Sequence, residues 1–64
     1  MVEIISNPAG ANVFNADYQY LGTTPMQIKK QTYLDQQLLV AYDAKVRFIQ
    51  IEQDNTIIMC LFYE

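Results

Sequence analysis

The sequence predicts an all-β domain, a small antiparallel β-sandwich of about six to seven short strands. Three observations carry that expectation. Apolar residues fill 52% of the 64 positions and charged residues only 17%, a composition that folds rather than stays disordered. Turn signals recur about every 8 to 12 residues, the spacing of sandwiches and small barrels. Between them lie short runs that alternate apolar with polar side chains or are rich in strand-favouring residues. A chain of this length buries only about 60% of its unfolded surface, enough for one thin core. Residues 1–64 therefore form a single domain, with no linker, internal repeat or low-complexity tract.

Val2-Glu3-Ile4-Ile5-Ser6 opens the chain as a β-rich run. Asn7-Pro8-Ala9-Gly10 closes it, because proline fixes φ and lacks a ladder donor while glycine admits positive φ. Ala11 to Asn15 predicts a second strand, followed by a turn over Asn15-Ala16-Asp17-Tyr18. Gln19-Tyr20-Leu21 is a brief extended piece ending at Gly22. Thr23-Thr24-Pro25 leads into Met26-Gln27-Ile28-Lys29, which alternates as a half-buried strand does. Gln31 to Gln37 is polar and reads as a loop. Leu34, Leu38, Leu39 and Tyr42 fit a helical spacing, but Val40 and Tyr42 favour strands, so Leu38 to Tyr42 is read as a strand. Asp43-Ala44 punctuates it. Lys45 to Phe48 alternates with Val46 and Phe48 inward, and Ile49 to Glu52 alternates in the opposite phase. The slip between Phe48 and Ile49 predicts a β-bulge or a strand that crosses between sheets. Gln53-Asp54-Asn55 is a turn, and Thr56 to Tyr63 is the last strand.

The composition argues against an enzyme. The chain has no histidine and one cysteine, which removes the commonest general base, the Ser-His and Cys-His pairs and most zinc sites. Asp43, Glu52 and Asp54 fall in or beside turns, where carboxylates commonly accept local backbone N–H groups. Neither Asn15 with Asp17 nor Asp54 with Asn55 supplies enough oxygens for a firm calcium site. No phosphate-cradling glycine motif is present, and no cofactor is expected. The net charge is −3, with basic residues only at Lys29, Lys30, Lys45 and Arg47, too few to neutralise a row of phosphates, so nucleic acid is not an expected partner. The longest apolar run, Ile57 to Tyr63, is far short of the roughly 20 residues of a spanning helix, so no membrane insertion is expected. The N-terminus lacks the pattern of a signal peptide. Cys60, inside the apolar run, reads as a small buried hydrophobe.

Ser6-Asn7-Pro8-Ala9-Gly10-Ala11-Asn12-Val13, a turn, and then Leu21-Gly22-Thr23-Thr24-Pro25 resemble the PEGA domain family. That family is marked by S-x-P-x-G-A-x-V at the end of a strand, a hairpin, and G-x-T-P. The resemblance is specific over residues 2–28 and loose beyond. It implies a small β-sandwich of cell-surface and envelope proteins, repeated or appended as a structural or binding unit without catalytic residues. Two departures stand out. The family usually has an Asp-Gly-type turn where this chain has Asn15-Ala16-Asp17-Tyr18, and a glycine where this chain has Asp43-Ala44-Lys45.

The feature that most asks for a function is strands with two apolar faces. Ile57, Met59, Leu61 and Tyr63 lie on one face of the last strand and Ile58, Cys60 and Phe62 on the other. Leu38 to Val40, and Ile4 with Ile5, are similarly two-faced. A domain this small cannot bury both faces of three strands, so another chain or domain is expected to cover part of this surface. The last strand, without Pro, Gly or charge, is the expected edge for pairing with its own copy. Ile58, Cys60 and Phe62 are the candidate partner-binding residues there, with Tyr18 and Tyr20 in the hairpin. The expected function is a non-catalytic protein-interaction or structural module, a homodimer or bound to another protein. The alternative is a free-standing small intracellular protein, phage- or mobile-element-encoded, that inhibits or redirects one host protein. A weaker expectation is a carbohydrate platform of Tyr18, Tyr20 and Tyr33. The location expected is the cytoplasm for a full-length chain and the cell envelope for an excised domain.

Overall fold

The computed structural model describes residues 1–62; Tyr63, read above as the end of the last strand, lies outside them. Seven strands and one helical turn follow in order: β1 (Val2–Asn7), β2 (Asn12–Phe14), β3 (Tyr20–Thr23), β4 (Met26–Ile28), α1 (Lys30–Tyr33), β5 (Gln37–Tyr42), β6 (Lys45–Gln50) and β7 (Ile57–Leu61). They form two sheets, one of order β4-β1-β7 and one of order β3-β2-β5-β6. The fold is the small all-β sandwich that the turn spacing predicts. Four of the described pairings are antiparallel, and β1 with β7 is parallel.

The core lies between the sheets. Alternation along each strand sends every second side chain inward, and the buried set is Val2 and Ile4 of β1, Val13 of β2, Leu38 and Val40 of β5, and Ile28, Ile51, Cys60 and Phe62. Ala11, fully buried, is small where β2 begins between the layers.

The two sequence motifs meet at one end of the sandwich. Thr24 is the buried polar residue there. Its hydroxyl oxygen accepts the N–H groups of Gly10 at 3.2 Å and Ala11 at 2.9 Å. Ser6 Oγ donates its single proton to Pro8 O at 2.8 Å. The Thr24 hydroxyl, hydrogen-bonded to Ser6 Oγ, must therefore be the donor between them. Thr24 N donates to Ala11 O at 2.8 Å, and Gly10 N also reaches Thr24 O at 3.0 Å. Gly10 takes φ +93°, with open space where a Cβ would stand, so conformation and not crowding selects glycine.

Three expectations are corrected. Residues 31–37 are not all loop, since Lys30–Tyr33 forms one helical turn without a side-chain cap or a buried residue. β6 carries no phase slip, because its register with β5 runs unbroken from Gln37↔Gln50 to Tyr42↔Lys45. The register shift lies instead between β2 and β3, opposite Leu21. Finally, Val46 and Phe48 point outward, 42% and 62% exposed. The pairing Val40↔Arg47 places Arg47 on the face of buried Val40, so Lys45 and Arg47 hold the inward positions.

The physical reason is position in the sheet. β6 is an edge strand, and inward-pointing cations are one way such edges resist pairing with other chains. The long side chains run past the core rim to the neighbouring layer. Lys45 Nζ donates to Phe62 O at 2.7 Å, and Arg47 Nε donates to Leu61 O at 3.2 Å. The Arg47 guanidinium also lies 5.5 Å from the centre of the Phe62 ring, a cation–π distance.

Candidate functional site

The outer face of the four-stranded sheet is built from the residues that alternation turns away from the core. Register places them in rows across all four strands. One row is Tyr20, Phe14, Leu39 and Phe48, and the next is Thr23, Asn12, Ala41 and Val46. Gln37 and Gln50 pair beyond them. None of these residues is charged. Tyr20 is 60% exposed, and its ring meets Phe14 edge-on at 5.9 Å between centroids. A shallow hollow of about 80 Å³ opens beside this row between Tyr18, Leu39 and Phe48.

Tyr18 stands at the tip of the β2–β3 loop. Asn15 shapes that loop, its side-chain oxygen accepting the N–H groups of Asp17 and Gln19, each at 2.9 Å. That oxygen thus serves the backbone. Tyr18 takes φ +64° and Asp43 φ +56°. Asp35, before β5, takes φ +62° as well. Asp tolerates the left-handed region through local hydrogen bonding, whereas for tyrosine it costs about 1–2 kcal/mol.

The outer face of the three-stranded sheet is built differently. The parallel register sets Ile57 beside Glu3, Met59 beside Ile5 and Leu61 beside Asn7, with Gln27 next to Glu3 across β4. Ile57, Met59 and Leu61 are exposed. β7 is an edge strand. Glu3 N donates to Thr56 O and Phe62 N to Asn7 O, so the even-numbered residues of β7 bond β1. The main-chain groups of Ile57, Met59 and Leu61 face the open side. The C-terminal end of that side is occupied, since Leu61 O accepts Arg47, and just beyond the strand Phe62 O accepts Lys45. β7 has no charge of its own, but β6 lends it two.

The five predicted partner-binding residues separate accordingly. Tyr18 and Tyr20 are exposed, as a binding surface requires. Cys60 and Phe62 are corrected, being 4% and 2% exposed and part of the core. Ile58 is half-buried against that core. The register explains this, because Ile58 stands beside buried Ile4 and Cys60 beside Ser6. The outward residues of β7 are the other set. Burial pushes the Cys60 thiol up, partly offset by the charge of Arg47, which disfavours the reactive thiolate. Tyr33 is half-buried against the core, so the platform of three exposed tyrosines does not form. Of Phe14, Leu39 and Phe48, only Leu39 fell in a run read as two-faced, and Phe14 and Phe48 were missed as outward residues.

No family model matches the chain, and no curated protein or solved structure is significantly similar to it. Among the described residues no three acidic or cysteine side chains gather closely enough to hold a metal ion. Nor is any helix there long and apolar enough to cross a membrane.

Proposed function

We propose that the chain is a non-catalytic protein-interaction or structural module of PEGA type that binds polypeptide through exposed apolar strand surface. The observation that carries this reading is the uncharged aromatic row Tyr20–Phe14–Leu39–Phe48. Contiguous apolar patches of this kind mark interaction sites on soluble proteins, and aromatic side chains are enriched in interface cores. The PEGA assignment is supported by Ser6, Pro8, Gly10, Ala11 and Thr24, which all serve one structural tie between two turns. The non-catalytic assignment is supported by the chemistry of the chain, whose sole thiol is buried and which has no histidine.

Photoreactive residues placed singly at Phe48 and Met59 test the reading in cells, with exposed Gln31 as control. Polypeptide adducts are expected from at least one of the two positions. Adduct yields at both no higher than at Gln31 would overturn it.

A further inference from the structure

We infer that the outer face of the four-stranded sheet is covered by a second copy of this chain, the two sheets stacked face to face about a two-fold axis. The inference rests on the interaction-module reading and names its partner. Three observations favour a second copy over an unrelated protein. First, a two-fold interface sets one patch against itself, so any charge near its centre meets its own sign. The chain carries eleven charged residues, seven of them acidic, yet none falls in the rows crossing this face. At β6 the charges of Lys45 and Arg47 are turned inward and Val46 and Phe48 outward, which keeps the face neutral at its most exposed strand.

Second, the size allows it. The molecule's two longer extents are 30 and 22 Å between Cα atoms, which bounds one face at slightly less than the ~800 Å² that each partner buries in a standard interface. Third, the rows are self-complementary. An axis parallel to the strands and between β2 and β5 lays β3 over β6 of the second copy and β2 over its β5. Tyr20 then meets Phe48 of the second copy, and Phe14 meets its Leu39. Stacked sheets about 10 Å apart with strands within about 30° of each other are an ordinary packing. The arrangement leaves β7 and its open edge outward on both copies.

Sedimentation equilibrium on the wild type and three variants tests this. The wild type is expected at twice its 7.4 kDa mass. Phe48→Glu buries an unpaired carboxylate against Tyr20 of the second copy at each end of the seam and is expected to weaken the dimer at least ~100-fold, since an uncompensated charge taken out of water costs several kcal/mol. Phe48 is exposed, so the variant keeps its fold, checked by circular dichroism. Met59→Glu is expected to leave the dimer intact. Tyr20→Lys alone is expected to dissociate, and mixing it with Phe48→Glu to restore a heterodimer, because the axis pairs those two positions. A wild type that stays monomeric at millimolar concentration overturns the inference. Dimers lost in Met59→Glu and kept in Phe48→Glu overturn it too, and place the second copy on β7. In both cases crosslinks at Phe48 or Met59 to other polypeptides would leave the interaction-module reading standing.

Discussion

Two regions of this molecule invert the usual rule of apolar inside and polar outside, and they do so with different consequences. At the end where the two motifs meet, the Thr24 hydroxyl is buried, and its donor and both acceptor sites are used. Thr24 Oγ1 accepts from Gly10 and Ala11 and donates to Ser6, which donates to Pro8 O. On the outer face of the four-stranded sheet, Phe14, Leu39 and Phe48 are turned outward, and among the described residues the fold leaves Phe48 exposed and Phe14 and Leu39 only half-covered. The first inversion is closed within the chain and needs no partner to explain it. The second has no internal account and is the one that points outside the molecule. An inversion is a functional signal only when the fold itself does not resolve it.

The largest test of that contrast is Thr24→Val. The shape is kept, but buried Ala11 N–H loses its acceptor and half-buried Ser6 Oγ loses the proton it accepts. A buried unsatisfied donor costs about 1–3 kcal/mol, so urea denaturation is expected to show a loss of about 2–3 kcal/mol. A loss below about 1 kcal/mol would mean that the tie is not what holds the two turns. Ser6→Ala comes next. It removes the acceptor of the Thr24 hydroxyl and the donor to Pro8 O, and about 1–2 kcal/mol is expected. Neither change should alter association of the molecules that remain folded.

The turns that the tie joins were legible in the sequence, whereas the tie itself and the face were not, for physical reasons. Pro8, Gly10 and Pro25 are local punctuation, and residues of one turn announce themselves within a few positions. The end of β1, the start of β2 and the entry to β4 were all readable this way. The face depends on which side of β6 is inward. Alternation reveals that Val46 and Phe48 share a side but not which side it is. Polarity then misleads, because Lys45 and Arg47 occupy inward positions by reaching past the rim to β7 carbonyls. The same limit applies to β7, where two apolar sets alternate and only its pairing with β1 chooses between them. That pairing joins the two ends of the chain, and no local signal encodes it. The helical turn of α1 was not placed either, because the helical spacing noted after Gln31 rests on Leu34, Leu38, Leu39 and Tyr42, all beyond the turn, which itself has no capping side chain and buries no residue.

Tyr18 sharpens the comparison, because it belongs to the exposed region yet carries a cost. Its φ of +64° is a conformation that glycine adopts freely. Tyr18→Gly is therefore expected to raise stability by about 1 kcal/mol in thermal or urea unfolding. If the ring is retained for contact with a partner, the same substitution should weaken association measured by sedimentation. A stability gain without any loss of association would assign Tyr18 no part in the surface.

The smallest expected effect on folding is the most informative about the face. Phe48→Gln exchanges an exposed aromatic for a neutral polar side chain opposite Leu39. A cross-strand pair of this kind contributes roughly 0.2–1 kcal/mol, so the isolated monomer, studied below its dissociation constant, is expected to lose less than about 1 kcal/mol. Were Phe48 instead a core residue, as its place in an alternating strand first indicates, truncation would cost about 3–5 kcal/mol. The gap between those values is wide enough for one denaturation curve to decide. A near-silent Phe48→Gln in folding, beside a costly Thr24→Val, would show that the chain spends its buried polar contacts on its own fold and leaves its aromatic row free for another surface.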